Sequence, residues 1–401
     1  MSVFSTTTWA SVTGRTSRIP GGGNRGAVWE RRTGDTRGGA TTGGVTVRQG
    51  RRDSGVRRRR VVAAGAGVAL AGGGVAIGTA SPASAQAEAY PVPVVGDFTG
   101  DAREEVLLYA LGPDPDMMVS FGRPADGVTT TRTPFSVGGW YVPLAGNFDG
   151  DEHDEILWYG FGTDADYLWD FTGPSTVSST RLRVDGEYWP VAGDFDGNGV
   201  DDVLWYGQGG PDHLWSFAAD GSHASTPQEI RGYAVPVAGS FGTDATDDVF
   251  FHGRDDVLWD FVAGTTDHVE RPFPVSRFYD VVESLDVWGD GAGGEDLLWY
   301  TRGRGPDHLW DFLGGRLRSS TPQTIDGSYG AVATGDFFGD GSDDVLFFFD
   351  RLGQGVNVWE HSVAGDRLVR DRYRLPGEAL VGGGDDAVVA ESRGSVTVAT
   401  R

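Results

Sequence analysis

Gly193–Gly207 reads G-D-F-D-G-N-G-V-D-D-V-L-W-Y-G. An apolar lead-in, Pro190-Val191-Ala192, precedes it, and the run Val203–Tyr206 has the composition of a strand. Between them the chain sets oxygen-bearing side chains at the first, third, fifth and ninth places: Asp194, Asp196, Asn198 and Asp202. Gly197 and Gly199 supply the bend. A hard cation such as Ca²⁺ takes six to eight oxygens, and a tight loop with this spacing can wrap one.

The stretch recurs. Its first loop position returns at Asp97, Asn147, Asp194, Ser240, Asp286 and Asp336, at intervals of 50, 47, 46, 46 and 50 residues. A worn seventh copy is read in Glu378–Arg401, with Asp385-Asp386-Ala387-Val388-Val389 as its second strand and Ser395–Thr400 as its third. Each copy runs lead strand (Val142–Ala145, Val235–Ala238, Ala331–Thr334), acidic loop and second strand (Ile156–Tyr159, Val203–Tyr206, Leu297–Tyr300, Val345–Phe348). A third strand follows, with a central Trp at 169, 215, 259, 310 or 359, and then a more polar fourth, such as Arg181–Val184 and Gln228–Arg231. Four short strands per unit of this length are the sequence form of a propeller blade.

The second strands are apolar on both faces. Val203 and Trp205 point one way, Leu204 and Tyr206 the other, so each face must be covered. Blades packed on blades do that, and most of the Trp residues belong in that packing. The expected architecture is all-β: one propeller of seven blades over residues 88–401, with residues near 84–92 supplying the closing strand. Six blades with a loose tail is the alternative.

The pattern D-x-D-x-N-G-x-x-D after an apolar G-D-F resembles the FG-GAP or VCBS repeat of integrin α-subunit propellers and of many secreted bacterial proteins. The resemblance spans about residues 90–401. It implies a propeller, usually seven-bladed, with Ca²⁺ in the loops between first and second strands. Carried over position by position, the implied ligands are Asn147, Asp149, Asp151 and Glu155 in the second copy and Asp194, Asp196, Asn198 and Asp202 in the third. The first copy offers Asp97, Thr99, Asp101 and Glu105. The sixth offers Asp336, Asp340 and Asp344, with Phe338 at the middle place. The fourth (Ser240, Gly242, Asp244, Asp248) and the fifth, where Trp288 replaces a ligand between Asp286 and Asp290, are poorer. An Asp/Gly turn without metal is the plainer reading of any single loop. Two to four loops are expected to bind Ca²⁺ and to stabilise the fold.

The front of the chain has another character. Residues 1–50 are rich in Thr, Gly and Arg and read as a disordered leader or an over-extended start. Residues 51–87 hold an Arg cluster (Arg57–Arg60), a mildly apolar segment (Val61–Ala80) and the small-residue sites Ala83-Ser84-Ala85 and Ala85-Gln86-Ala87. That order is a secretory signal, with a twin-arginine flavour, and removal after Ala85 or Ala87 leaves no membrane span in the mature form. Of the 33 basic residues, all Arg, 13 lie in residues 1–87 with three of the 57 acids. The other 20 Arg and 54 acids leave a formal balance of −34 beyond residue 87. Such a surface repels nucleic acid and anionic membranes and suits a calcium-containing exterior. There is no Cys, so no disulfide holds the fold, and no Lys, which excludes Schiff-base and P-loop lysines.

Beyond residue 87 there is no G-x-S-x-G elbow and no H-E-x-x-H. One non-loop regularity remains. Six residues before the glycine that precedes the loop, or its equivalent, stand Tyr90, Trp140, Tyr233, Tyr279 and Tyr329; the third copy has Glu187 there, followed by Tyr188. They fall where one blade's outer strand leads into the next blade's inner strand. They either seal the blade junctions or line a rim that stacks sugars. The expected function is a monomeric extracellular binding or adhesion module for a glycan or protein. A polysaccharide-cleaving enzyme using paired acids is the competing class, and a secreted scaffold is the third.

Overall fold

The computed structural model describes residues 91–400 apart from 113–114, 123–127, 208–209, 245, 277–278, 290–293, 326, 350–355, 363–366, 376–386 and 393–394. The leader, the export signal and Tyr90 therefore lie outside the described residues. Among the described residues no helix is long and apolar enough to cross a membrane.

The strands group into six blades. Blade 1 is β1 (Val92–Gly96), β2 (Glu105–Tyr109), β3 (Asp116–Gly122) and β4 (Val128–Phe135). Blade 2 is β5 (Val142–Gly146), β6 (Glu155–Tyr159), β7 (Asp166–Gly173) and β8 (Thr176–Leu182). Blade 3 is β9 (Trp189–Gly193), β10 (Asp202–Tyr206), β11 (Asp212–Phe217) and β12 (His223–Gln228). Blade 4 is β13 (Ala234–Gly239), β14 (Asp248–Gly253), β15 (Val257–Phe261) and β16 (His268–Pro272). Blade 5 is β17 (Val281–Leu285), β18 (Asp296–Tyr300), β19 (Asp307–Phe312) and β20 (Leu317–Gln323). Blade 6 is β21 (Tyr329–Gly335), β22 (Asp344–Phe349), β23 (Val356–Ser362) and β24 (Arg367–Leu375). Each is an antiparallel meander, and its first strand neighbours the first strands of the blades on either side. β1 packs beside both β5 and β21, which closes the ring.

Seven blades are thus corrected to six. The segment read as a seventh copy forms β25 (Ala387–Ser392) and β26 (Ser395–Thr400), and these extend blade 1 in the order β1-β2-β3-β4-β25-β26. Val389 pairs with Val128 and Ala387 with Thr130. Six inner strands already close the ring, so a terminal hairpin has only an outer edge to pair with, and unpaired edge groups invite a partner. Of the closing strand expected near 84–92, residues 84–90 lie outside the described residues, and Val92 opens β1, the innermost strand of blade 1. The fourth strands also start earlier than their sequence suggested: β8 begins at Thr176 and β12 at His223, directly after the hairpin that turns back from the third strand.

The two-faced second strand behaves as its composition requires. Val203 and Trp205 pack toward blade 2, Leu204 toward blade 4. One apolar cluster fills each of the six junctions, including that between blades 6 and 1. Trp158, Trp205, Trp299 and Trp359 are fully buried in these clusters, and side chains of that size bury on the order of 150–250 Å² each.

Polar latches join the same junctions. The acid just before each second strand reaches back to the preceding blade's loop. Asp154 accepts from Asp97 N–H (2.8 Å), Asp201 from Asn147 N–H (2.7 Å), Asp247 from Asp194 N–H (3.1 Å), Glu295 from Ser240 N–H (3.2 Å) and Asp343 from Asp286 N–H (3.0 Å). Each of these acids also donates its own backbone N–H to the carbonyl of that same residue, and Glu104 N–H donates to the Asp336 carbonyl (3.4 Å) across the closing junction. Gly146 ends its strand as glycine for this reason: a Cβ there would stand 2.9 Å from Asp201 Oδ2.

Candidate functional site

Two faces carry the candidate chemistry. On one lie the acidic loops, and the next blade's third-to-fourth-strand hairpin approaches those of blades 2, 3 and 4: a Cβ on Gly150 would stand 3.3 Å from Ala219, Gly264 N–H donates to the Asp196 carbonyl and Gly315 N–H to the Phe241 carbonyl. On the other, the turns between second and third strands meet the blade-to-blade connectors, as in the paired bridges Gly112–Gly139, Gly162–Gly186 and Gly303–Gly327.

The loops of blades 2 and 3 bring acids together. Asp149, Asp151 and Glu155 form one cluster and Asp194, Asp196 and Asp202 another, each with one carboxylate oxygen per residue within 4.8 Å of the others. In the third copy Asp194 accepts from Asn198 N–H (2.9 Å) and Gly199 N–H (2.8 Å), which folds the loop around it. Gly197, at φ 74°, makes the turn in a conformation that favours glycine. Asp202, fully buried, accepts from Phe217 N–H (2.8 Å) through Oδ1 and has no partner for Oδ2. Glu155 likewise accepts from Phe148 N–H (2.7 Å) through Oε2 and leaves Oε1 unpartnered. Burial, and then neighbouring carboxylates in each loop, push Glu155 and Asp202 up to about 9. A divalent cation would satisfy those oxygens and reverse that shift. The residues present therefore fit a hard, oxygen-seeking ion.

Not every implied ligand is placed for that role. Asn198 spends Oδ1 on Val200 N–H and donates Nδ2 to the Phe217 carbonyl. Asn147 accepts from Gly150 N–H and donates to the Asp151 carbonyl. In the first copy Thr99 engages both oxygens of Glu105, through N–H and Oγ1 (3.2 Å each), while Asp101 pairs with Arg103. In the sixth copy Asp336 folds its loop by accepting from Asp340 and Gly341 N–H (2.9 and 2.8 Å), Asp340 takes the Ser342 hydroxyl, and Asp344 is buried in β22.

The aromatic set divides in two. Trp140 and Tyr233 turn outward, 69% and 73% exposed. Tyr188 and Tyr329 are buried and Tyr279 half-buried; they enter the junctions and contact the next blade's second strand, at Trp205, Phe347 and Trp299. The regular spacing mixed two places, because the chain enters the first strands differently: the connectors run from five to eight residues, and β21 carries an irregularity between Tyr329 and Ala331.

Between blades 2 and 3 this face opens into a cavity of about 190 Å³, lined by Val184, Asp185, Tyr188, Trp205, His213, Trp215 and Ser225. Trp205 and Trp215 stand 5.2 Å apart, near edge-on, and Trp215 stacks on His223 at 4.1 Å. Two devices hold the walls. Asp212 accepts from Gly207 N–H (2.8 Å) and Ile230 N–H (2.7 Å), and Asp166 does the same for Gly160 and Val184 (2.9 and 2.7 Å). Tyr159 O–H donates to the Gly186 carbonyl (2.6 Å) and accepts from Tyr188 N–H (3.0 Å).

Two residue types with clear roles escaped the sequence reading. The latch acids could have been found from the acid doublet that opens every second strand: Glu104-Glu105, Asp154-Glu155, Asp201-Asp202, Asp247-Asp248, Glu295-Asp296 and Asp343-Asp344. The connector-holding Asp166, Asp212, Asp256 and Asp307, the last accepting from Thr301 and Ile325 N–H, could have been found from the Asp that stands three residues before Trp169, Trp215, Trp259 and Trp310; before Trp359 that place is Val356.

No family model matches the chain, and no curated protein matches it. Among solved structures it is similar to a lectin of Agrocybe aegerita that specifically recognises non-reducing terminal N-acetylglucosamine, at 15% identity and a TM-score of 0.46, with 73% of this chain and 82% of that chain covered.

Proposed function

We propose that the chain is an exported, calcium-stabilised propeller that binds saccharide through the pocket between blades 2 and 3. The observation that carries this reading is the make-up of that pocket: the half-buried Trp215 indole over the buried Trp205 and Tyr188, with His213, Ser225 and Asp185 at hand for hydroxyl groups. Its volume of about 190 Å³ is small beside drug-sized sites of roughly 300–1,000 Å³, which suits one sugar ring rather than a chain segment. The acidic balance beyond residue 87 and Asp185 at the pocket favour a neutral or amino sugar over an acidic one. Calcium, in this reading, sits on the opposite face in the loops of blades 2 and 3 and holds the scaffold.

The test is a glycan array probed with the full chain in Ca²⁺, beside Trp215→Ala. Binding to neutral or amino glycans that Trp215→Ala loses, while its far-UV spectrum and melting stay cooperative, supports the reading. Binding untouched by Trp215→Ala, or confined to acidic glycans, overturns the assignment to this pocket. Captured glycans are then incubated; release of fragments would move the function to a polysaccharide-cleaving enzyme.

A further inference from the structure

We infer that the propeller carries a second saccharide site, between blades 4 and 5, equivalent to the pocket between blades 2 and 3, so that one chain binds two sugar residues. The inference rests on the saccharide reading of the first pocket.

The second set is assembled by the same pairings. His213 lies opposite Trp205, and Trp215 opposite Ser225; His308 lies opposite Trp299, and Trp310 opposite Ser320. The connector tyrosine enters both junctions, with Tyr188 5.8 Å from Trp205 and Tyr279 5.0 Å from Trp299. The two indoles stand 5.2 Å apart in the first junction and 4.7 Å in the second. The connectors are held alike: Val184 N–H donates to Asp166 (2.7 Å) and Val275 N–H to Asp256 (2.8 Å). His308 Nδ1 lies 3.2 Å from Ser320 Oγ, so the polar pair is formed beside the aromatic faces.

The other described junctions break the set. Between blades 5 and 6, Tyr329 is 1% exposed and Asn357, in the place of His213 and His308, donates Nδ2 to its hydroxyl at 2.9 Å, a plug. Between blades 3 and 4 the connector supplies Ala234 instead of Tyr, Val257 stands in the His place and Glu270 in the Ser place. Between blades 1 and 2, Tyr167 takes the His place and packs edge-on to Tyr141 at 6.3 Å. Only two of these five junctions combine two indoles, a connector tyrosine, a histidine and a serine.

The sites are equivalent without being identical. Tyr159 backs the first, 5.2 Å from Trp205, whereas His252 backs the second, 5.0 Å from Trp299 and 2.8 Å from Asp256. Both stand at the connector face, two blades apart in a ring of six, and Tyr279, His308 and Trp310 of the second are half-buried there. Two sites on one face engage a dense saccharide surface together, and avidity can then exceed single-site affinity by roughly 10²–10⁴.

The experiment is titration calorimetry of the full chain with the methyl glycosides of glucose, galactose, mannose and glucosamine, followed by binding to a surface densely coated with the best of them. The variants are His213→Ala, His308→Ala and the double variant, which spare the buried indoles; circular dichroism checks folding. A stoichiometry of two for the parent, one for each single variant and none for the double is expected, with surface avidity falling at least a hundredfold in either single variant. A stoichiometry of one that His213→Ala abolishes and His308→Ala leaves alone overturns the second site and keeps the first. No saturable binding of any glycoside overturns both.

Discussion

Blades 2 and 3 and blades 4 and 5 share one backbone plan and treat the acidic loop differently. In blades 2 and 3 three carboxylates converge in each loop, and among the described residues no Arg forms an ion pair with them. In blade 4 the middle ligand place is Gly242, and a Cβ there would stand 2.9 Å from Asp248 Oδ2 and 3.0 Å from Asp260 Oδ1. Asp260, on the third strand, therefore crowds the space where a ligand would stand, and it pairs with Arg271. In blade 5 Trp288 takes the middle place and packs on the junction core, and Asp311, at the position of Asp260, pairs with Arg318 at 3.0 Å. Buried carboxylates need a positive partner or a proton. The comparison teaches that the repeat meets this need with a guanidinium in blades 4 and 5, whereas in blades 2 and 3 it leaves the converging acids to a proton or to the cation proposed above.

Calcium makes the largest test of that contrast. Saturating Ca²⁺ at a hundredfold excess over Kd should add about 2.7 kcal/mol per site, hence about 5 kcal/mol for blades 2 and 3 together. Chemical denaturation with Ca²⁺ or chelator should show that increment, and Asp149→Ala with Asp194→Ala should remove it. Asp244→Ala in blade 4 should leave it unchanged. An equal increment in all variants would break the distinction between the blade pairs.

The guanidinium side is tested next. Arg271→Met should cost about 1–3 kcal/mol, below the roughly 3–5 of a fully buried broken pair, because Arg271 is partly exposed. Adding Asp260→Ser, the side-chain type that blade 3 carries at Ser216, should recover most of it. If the single variant costs nothing by the same denaturation measurement, the ion pair does not stand in for a metal.

Proton linkage sharpens the comparison further. Unfolded carboxyls titrate near 4, while Glu155, Asp202 and Asp296 are pushed up to about 9. Between those values the folded chain holds protons that the unfolded chain has released. Stability without calcium therefore falls as pH rises from about 4 to about 9. Calcium binds the deprotonated ligands, so the gap between calcium-loaded and chelated melting temperatures should widen from pH 5 to pH 8. A constant gap would remove Glu155 and Asp202 from the ligand set.

The smallest effects belong to the outward aromatics. Trp140→Ala and Tyr233→Ala should change stability by less than about 0.5 kcal/mol, as exposed substitutions do. They should leave saccharide stoichiometry unaltered. Loss of binding in either would shift the site from the junctions to the rim.

Much was legible because it is local. The strand order within a blade, the two-sided apolar second strand and the acids of each loop are set by residues within one repeat, where periodicity and turn chemistry speak directly. Six of the seven copies that were read became blades, and among the described residues the second and third loops, the best matched to the motif, are those in which three acids converge. What the tertiary structure alone decided is long-range. Whether the last hairpin closes a seventh blade or lengthens the first depends on whether six inner strands already meet, as β1 and β21 do. Whether a connector aromatic seals a junction or faces solvent turns on how the chain enters the first strand: Tyr329, at the irregularity that opens β21, is buried, while Trp140, ahead of the regular β5, stays out. The latch acids act across junctions on residues 53 to 57 positions away. Only closure of the ring brings such partners together, since no local pattern sets a contact made between blades.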